Sequence, residues 1–328
     1  MIPYSFFADS KLRTFVFKNN LQKEFHSLED LGDKIISYMD NHWVQEQLEQ
    51  SRIMDKVYLD KSCGFIDYYH DYYPSQLREI YDPPLVLYYL GNPQILKLEY
   101  SAIVGTRKAS IVSLFATRKL VERIAQESPG PLGIVSGMAL GIDKEAMQTA
   151  INLNLPTLGV LGTPAYMEYP FGNSLLYANM KAYDQACLVS ELLPLDRYAK
   201  WTFPMRNRII TGIANKVYLM ETPSKSGAMS SANNALDQNK EIFIFSDRRQ
   251  ENNIGGEQLI NDGATRFGWE DLGIKGEIKH ITEIESLDCK SSQIETGSAW
   301  ESYSIFKKSS NTSQIENLGS GFYFIESN

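Results

Sequence analysis

The stretch SAIVGTRKASIVSLFATRKLVERIAQESPGPLGIVSG, residues 101–137, decides the fold of this chain. An unbroken apolar run at 101–104 ends in Gly-Thr-Arg, and residues 110–126 then repeat apolar side chains at three-and-four spacing. A second apolar run at 132–135 ends in Ser-Gly. Continuous apolar runs are typical of strands covered on both faces, and the spacing between them is typical of a helix. The stretch therefore predicts one strand–helix–strand unit of a parallel sheet.

The same alternation continues to residue 245, and one apolar run at 85–90 precedes it. Further strands are predicted at 157–161, 187–190, 216–220 and 241–245. Further helices are predicted at 143–152, 175–182, after Pro204 and at 226–238. Strands that alternate with helices in this way indicate an α/β fold, with a parallel sheet covered by helices on both faces.

The composition excludes some classes of protein. The chain has 328 residues, of which 43% are hydrophobic and 22% charged, so it has enough apolar material for a sizeable core. Its formal net charge is -8 at pH 7. Proteins that coat duplex DNA are usually basic, so this charge argues against such a coat and is compatible with a local basic groove.

The positions of the cysteines and histidines bear on disulfide and metal sites, and the N-terminal sequence bears on the cellular location. The three cysteines, Cys63, Cys187 and Cys289, form no CxxC pair, and the four histidines are scattered. Neither a disulfide framework nor a metal site is predicted, and no cofactor is expected. The first residues lack the apolar core of a signal peptide, and no apolar run is long enough to span a membrane. The chain is predicted to be cytoplasmic, with no membrane partner.

Three domains or segments are predicted. Residues 1–80 carry short helical patterns, with Ser27 as a helix N-cap, and are interpreted as a small helical domain. Residues 81–283 form the α/β domain. Residues 284–328 are rich in serine and weakly periodic, which predicts a flexible tail whose apolar patch at 322–325 is free to dock elsewhere.

Small and polar residues follow the ends of the predicted strands. They are Gly105-Thr106-Arg107, Ser136-Gly137, Gly162-Thr163, Glu191, Glu221-Thr222 and Ser246-Asp247. In an open α/β sheet the ligand crevice lies along this edge, and glycines there let a phosphate approach the backbone closely. Any single turn between a strand and a helix needs such residues for its own geometry. Six turns of this kind together favour a binding edge.

The segment WTFPMRNRIIT, which begins at Trp201, has the residues of a nucleic-acid backbone site. The first amides of a helix favour an anion, and Arg206 and Arg208 can add bidentate phosphate contacts. The rings of Trp201 or Phe203 offer a surface on which a base can stack. The alternative, two solvated arginines at the start of an amphipathic helix, remains open from this segment alone.

No catalytic motif is present in the sequence. It contains no GxGxxG, Walker A, HExxH or GxSxG motif. Asp143, Glu191 and Glu221 are carboxylates near strand ends, and we interpret them as turn, cap or arginine-orienting residues rather than as general acids. The chain is therefore not expected to be an enzyme.

Motifs spread over residues 64–266 together resemble one family. They are Tyr73-Pro74 with Leu77; Asp82-Pro83-Pro84 with Leu87-Tyr88 and Gly91; Ile103 to Arg107; Ile134 to Ala139 with Gly141-Ile142-Asp143; Tyr169-Pro170 with Asn173 and Leu176; Ser190-Glu191; Phe203-Pro204 with Arg206 to Ile210 and Gly212; Glu221; Ser226-Gly227 with Ala232 and Ala235; and Leu259-Ile260 with Gly263-Ala264. The patterns SGxAxGID and FPxRNRII at this separation are highly specific. On them the chain resembles the bacterial DNA-processing protein A family (DprA, also called Smf).

The resemblance implies both a fold and a function. The fold is an extended Rossmann-type domain behind a helical, SAM-like N-terminal domain, and members form homodimers through the Rossmann domain. The family binds single-stranded DNA without sequence preference and hands it to the RecA recombinase in natural transformation, without catalysis. The implied DNA-binding residues are Gly105, Arg107, Ser136, Gly137, Phe203, Arg206, Asn207, Arg208, Ser226 and Gly227.

The chain departs from the family pattern at several positions. Met147 stands where a histidine is usual, Ser246-Asp247 where Pro-Gly is common, and Glu257-Gln258 where an asparagine precedes Leu-Ile. The added negative charge is expected to weaken anion binding near that edge. The C-terminal segment is too short and too polar for the winged helix that many members carry.

Two other functions remain open from the sequence. One is an enzyme or sensor for a nucleotide derivative, with a phosphate held at Ser136-Gly137 or Ser226-Gly227, although the GGxGTxxE signature of such relatives is absent. The other is a scaffold that has lost DNA binding through the departures.

Overall fold

The structure is a computed structural model that describes residues 2–39, 41–127, 130, 132–194, 200–280, 315–319 and 322–326. Its centre is a sheet of nine strands in the order β1-β2-β6-β5-β4-β3-β7-β8-β9. The strands are β1 Gly64–Asp67, β2 Val86–Gly91, β3 Glu99–Val104, β4 Leu132–Ser136, β5 Thr157–Val160, β6 Ala186–Ser190, β7 Lys216–Leu219, β8 Glu241–Phe245 and β9 Thr265–Phe267.

Most of this sheet is parallel, as the sequence predicted. Strands β3 to β9 pair in parallel, whereas β2 pairs antiparallel with both β1 and β6. The parallel strands alternate with helices along the chain. The helices are α1 Ser10–Lys18, α2 Leu28–Tyr38, α3 Asn41–Asp60, α4 Ser75–Arg78, α5 Ile111–Glu127, α6 Ile142–Asn152, α7 Ser174–Ala182, α8 Thr202–Ile213, α9 Gly227–Asp237 and α10 Ile254–Asn261.

Two apolar layers cover the two faces of the sheet. Consecutive residues of β3 divide between them, since Ala102 and Val104 belong to one cluster and Ile103 to the other. Helices α8 and α9 supply the first layer, and α5 and α6 supply the second. Because both faces are covered, the parallel strands carry almost no polar alternation, which is why their sequences are continuous apolar runs.

The N-terminal region is helical, as expected, and its helices are longer than the sequence indicated. The side chain of Ser27 accepts a hydrogen bond from the backbone N–H of Asp30 at 3.1 Å, which confirms it as the N-cap of α2. Gly32 made that helix look shorter. A Cβ there would lie 2.4 Å from the side chain of Ile2, so packing against the preceding segment requires a glycine inside the helix.

The boundary predicted at residue 80 needs adjustment in one respect. Strand β1 pairs with β2 in the main sheet, and Tyr73, Leu77 and Ile80 belong to the apolar layer beneath α8. Residues 64–80 therefore contribute to the sheet and core of the α/β unit, while Phe65 and Tyr68 also pack on the N-terminal helical region. The segment Gly-Phe-Ile-Asp is only four residues long and its partners lie 19 to 25 residues further along the chain, so local periodicity gave no signal for a strand.

Part of the segment predicted to be a flexible tail is folded. Strand β10, Gly276–His280, pairs with β12, Phe322–Glu326, which also pairs with β11, Ile315–Gly319, in a small antiparallel sheet. The ring of Phe324 lies 5.1 Å from the ring of Phe115 on α5, so the apolar patch at 322–325 docks on the α/β domain. The rest of the predicted tail, including 284–314, lies outside the described residues.

Candidate nucleic-acid interface

A cavity of about 720 Å³ opens at the carboxyl end of β3, between the turn that follows this strand and the first turns of α8 and α9. This is the edge where the sequence placed the ligand crevice. Its lining includes Gly105, Thr106, Arg107, Lys108, Ala139, Asp143, Tyr169, Lys200, Phe203, Pro204, Arg206, Asn207, Pro223, Lys225, Ser226, Gly227, Glu251 and Asn252.

Four exposed cations surround the cavity, namely Arg107, Lys108, Lys200 and Lys225. Within the described part of the chain none of the four forms an ion pair. Glu251 is the exposed carboxylate of the same lining. This surface is therefore locally basic on a chain whose formal net charge is -8. Such a focus of positive charge attracts a polyanion to one place on an otherwise acidic protein.

Aromatic rings form one side of the cavity. The guanidinium of Arg107 lies over the ring of Phe203, 5.8 Å from its centroid, and the ring of Tyr169 packs on Phe203 at 5.2 Å. Phe203 is half-buried, so one part of the ring is fixed and another part stays accessible. A flat ring beside a guanidinium offers a nucleobase a stacking surface next to a contact for its phosphate.

The N-terminus of α9 points at the same space. The side chain of Ser226 caps it by accepting from the N–H of Met229 at 3.2 Å. A Cβ at Gly227 would meet no atom within 4 Å, so the approach to the first turn is open. The amide of Asn207 donates to the carbonyl of Gly227 at 3.1 Å and ties α8 to this turn. The first amides of a helix carry partial positive charge, which adds to the field of the cations.

Arg206 lines the cavity with its side chain held in the protein. It is 6% exposed, and its guanidinium donates to the carbonyl of Val160 and, at 3.0 Å, to the side chain of Asn207. Asp143 stands beside it and accepts hydrogen bonds from the backbone of Gly137 and Ala139 at 3.1 and 3.3 Å. A Cβ at Gly137 would lie 2.2 Å from Arg206, so only glycine admits the guanidinium.

Burial shifts the pKa of both members of this pair toward the neutral form. It raises the pKa of Asp143, and the charge of Arg206 with the two backbone N–H groups opposes the rise. It lowers the pKa of Arg206, and Asp143 opposes the fall. The guanidinium of Arg206 is thus buried against the turn after β4, with two of its nitrogens bound to Val160 and Asn207, and its role as a DNA contact stays a prediction.

The structure separates Arg208 from the cavity. Its guanidinium makes two hydrogen bonds to Glu191, at 2.9 and 2.7 Å, and lies 3.3 Å from Asp82. Arg13 of α1 binds the same two carboxylates at 2.6 and 2.7 Å. We call Arg13, Asp82, Glu191 and Arg208 the Arg208 cluster. Because its donors are used inside the protein, the assignment of Arg208 as a DNA contact is corrected to one of joining α1 to α8.

The Arg208 cluster is also reflected in a pKa. Burial alone lowers the pKa of Arg208, but the charges of Glu191 and Asp82 exceed this effect and raise it. Glu191, at the end of β6, is therefore an arginine-orienting residue, which is one of the roles that the sequence suggested for it.

The glycine and serine residues predicted for the site form two groups, those that line the cavity and those that lie behind its lining. Gly105, Ser226 and Gly227 line the cavity, whereas Ser136 is fully buried and donates to the carbonyl of Ile103 at 2.6 Å. Gly137 is needed for the approach of Arg206 and is absent from the lining. Ser136 and Gly137 thus shape the site from behind.

The departures from the family pattern lie away from the cavity. Met147 is fully buried in the apolar cluster around α7. Asp247 is paired with Arg249 at 2.7 Å and accepts from the indole N–H of Trp269 at 2.6 Å. Glu257 accepts from Ser246 and pairs with Arg266, each at 2.6 Å. Each added carboxylate is balanced by a neighbouring arginine, so neither places a free negative charge at the cavity.

Three lysines of the lining were missed by the reasoning from sequence. Lys108, Lys200 and Lys225 each stand alone in a loop, with no motif to mark them. The sequence signal that could have identified them is their closeness to the predicted site residues Arg107, Phe203 and Ser226. Each lies within three residues of one of these predicted site residues.

Two further properties bear on the chemistry of the site. Among the residues that the structure describes, no group of three or more His, Cys, Asp or Glu side chains is arranged to hold a metal ion. No helix in the described segments has both the length and the apolar character needed to cross a membrane.

The family described as DNA recombination-mediator protein A matches residues 64–273. The chain is 31% identical to protein Smf of Borreliella burgdorferi over 215 residues, which is 66% of this chain and 63% of that protein. It is 34% identical to DNA processing protein DprA of Streptococcus pneumoniae over 219 residues, covering 66% of this chain and 74% of that protein. The chain thus spans less than two thirds of the length of the Borreliella relative.

Two solved structures share the fold. DprA from Streptococcus pneumoniae superposes with a TM-score of 0.64 at 29% identity, over 79% of this chain and 89% of that one. DNA processing protein A from Helicobacter pylori, which was described for its single-stranded DNA binding mode, gives a TM-score of 0.56 at 24% identity, over 70% and 97% of the two chains.

Proposed function

The chain belongs to the DNA recombination-mediator protein A family, and on that premise we propose that it binds single-stranded DNA without sequence preference and loads the RecA recombinase onto it. The incoming strand of natural transformation is the substrate that we propose. The protein acts as a binding protein rather than as a catalyst, in the cytoplasm and as a homodimer.

The cavity is the observation that carries this proposal. It combines four exposed cations, a helix N-terminus and the half-buried ring of Phe203 within one opening. Phosphates of a single strand need the first two, and an unpaired base needs the third. Because every base has a flat π-face, stacking on the ring of Phe203 favours binding that does not depend on sequence.

Charge decides the expected behaviour in salt. An acidic protein with one basic opening binds a polyanion mainly at that opening. Each phosphate that is neutralised releases counterions, so affinity for a single strand falls as salt rises, with a slope of about -0.7 per contact on logarithmic axes.

The test is fluorescence anisotropy of labelled oligothymidylates with salt and length varied. We expect binding that tightens with length, weakens steeply with salt and is similar for oligoadenylates of the same length. Binding of a mononucleotide as tight as that of an oligonucleotide overturns this proposal in favour of a nucleotide-derivative pocket. If neither the oligonucleotides nor the mononucleotide bind at low salt, both the single-strand proposal and the nucleotide-derivative pocket are overturned.

The RecA step and the oligomeric state have separate tests. The protein is expected to speed RecA assembly on the same oligonucleotide at concentrations that saturate its own binding. Sedimentation velocity is expected to give the mass of a dimer. Failure of either result removes that part of the proposal and leaves the DNA binding untouched.

A further inference from the structure

A large aromatic ring is exposed on a segment next to the residues that line the cavity. Phe171 is 80% exposed at the start of a short 3-10 helix, Phe171–Asn173. Its backbone is held firmly, because the buried amide of Asn173 donates to the carbonyls of Met138 and Ala139, both at 2.9 Å. An exposed ring on a fixed backbone loses little conformational entropy when it contacts a ligand.

The segment that carries this ring adjoins the lining of the cavity. Tyr169, which packs on Phe203, precedes Phe171 by two residues, so the two backbones are at most about 7 Å apart. On the other side, a Cβ at Gly172 would lie 3.2 Å from the side chain of Leu140, which follows the lining residue Ala139 and is 37% exposed. We call Leu140 and Phe171 the ledge.

Two exposed cations lie on segments that adjoin the ledge along the chain or in space. A Cβ at Gly141 would lie 2.8 Å from the carbonyl of Arg107, so the turn that carries Leu140 touches the backbone of a cavity cation. Lys144 is exposed in the first turn of α6 and forms no ion pair among the described residues. A DNA strand that leaves the cavity across Leu140 would therefore pass the turn of Arg107 and the first turn of α6, which carries Lys144, next to the exposed ring of Phe171.

From this arrangement we propose that Phe171 is a second stacking platform, for a nucleobase of the single strand outside the cavity. The inference rests on the proposed binding of single-stranded DNA and deepens it by extending the path beyond Phe203. The occupant is a nucleic acid rather than a second copy of this chain, because the ledge adjoins the cavity whose exposed cations complement phosphate.

The experiment compares the full-length chain with Phe171→Ala on oligothymidylates of about four to about sixteen nucleotides, a range that spans site sizes of single-strand binders. We expect Phe171→Ala to weaken binding of the long oligonucleotides about tenfold, the value of one stacked base. The shortest oligonucleotides fill the cavity alone, and their affinity is expected to be unchanged.

Two matched variants separate stacking from other effects. Leu175→Ala removes another exposed apolar side chain, 69% exposed and without a flat face, and is expected to bind like the wild type at every length. Phe171→Trp keeps a flat aromatic face and is expected to bind like the wild type at every length. Circular dichroism confirms that each variant is folded.

The outcomes distinguish the two levels of inference. Equal affinity of Phe171→Ala and wild type at all lengths overturns the platform, as does an equal loss at all lengths. A wild-type chain that binds no oligonucleotide overturns the proposed function itself. If a change in sedimentation rather than in DNA binding accompanies Phe171→Ala, the ledge is a contact between copies and the proposal is wrong.

Discussion

Two arginines on α8, two residues apart, meet opposite environments. Arg206 faces the cavity and stands beside Asp143, whereas Arg208 faces α1 and belongs to the Arg208 cluster. A helix turns about 100° per residue, so two positions separated by two residues lie on nearly opposite sides of the helix. One side of this short motif therefore lines the cavity, and the opposite side packs α8 against the N-terminal helix α1.

Removal of Arg208 is the strongest way to break this comparison. Arg208→Ala leaves the buried Glu191 with one partner fewer, and we expect a loss of about 3 kcal/mol in the free energy of unfolding, as for other buried ion pairs. Urea unfolding measures it. Arg266→Ala, which breaks an exposed pair with Glu257, is the matched control and should cost below about 1 kcal/mol. Equal stability of the two variants would contradict the assigned role.

Removal of Arg107 tests the cavity side. Arg107→Ala is expected to weaken oligonucleotide binding by about 1–3 kcal/mol and to lower the salt slope by about one contact, because the cation and its position over Phe203 are both lost. Stability should stay within about 0.5 kcal/mol of the wild type, since the side chain is exposed. Lys23→Ala, an exposed lysine outside the cavity lining, serves as the control and should change neither quantity.

Removal of Lys225 sharpens the same side. Lys225→Ala is expected to cost about 1 kcal/mol of binding, less than Arg107→Ala, because a lysine is a point charge and this one has no ring contact. The loss should be the same for oligothymidylate and oligoadenylate, as anisotropy titrations of both will show. A loss confined to one sequence would mean that Lys225 reads a base.

The smallest expected effect is on the pH dependence of stability, at Asp247, which departs from the family pattern and lies outside the lining of the cavity. Burial raises the pKa of Asp247, but hydrogen bonds from Arg249 and Trp269 exceed this and lower it to about 2. A carboxyl whose pKa is depressed by folding stabilises the protein above the unfolded value of 3.8, and this stability is lost as pH falls toward 2. Asp247→Asn is expected to flatten that fall by about 1 kcal/mol, after allowance for solvent near Arg249. Unfolding at pH 4 and at pH 2 measures it, and an unchanged fall would contradict the pairing.

The parallel sheet was predictable from sequence because each of its strands β3 to β8 is a buried apolar run followed by a polar turn. Strand β1 and the strands of the small sheet were not, since they are short and their partners lie far along the chain. β12, for example, pairs with residues 276–280 across more than 40 residues. Such pairing depends on tertiary contacts, which local periodicity does not contain.

The site was predicted in part for a related reason. Gly105 and Arg107 lie in the turn after a strand, and strand ends of a parallel sheet converge on one edge. The role of Arg208 was wrong because its two carboxylate partners, Asp82 and Glu191, come from other segments, and Asp82 lies more than 100 residues away in sequence. The motif specified two arginines, and the fold buries both, Arg206 at the lining of the cavity and Arg208 in the Arg208 cluster.

The order of the strands has a consequence for synthesis of the protein on the ribosome. Strand β2 lies in the interior of the sheet, yet Tyr88 pairs with Ser190, so its partner emerges about 100 residues later. At translation rates of about 5–20 residues per second, β2 waits about 5–20 seconds with one edge unpaired. The nascent chain therefore exposes an apolar strand edge during that interval, and it is then that we expect the protein to be most prone to aggregation.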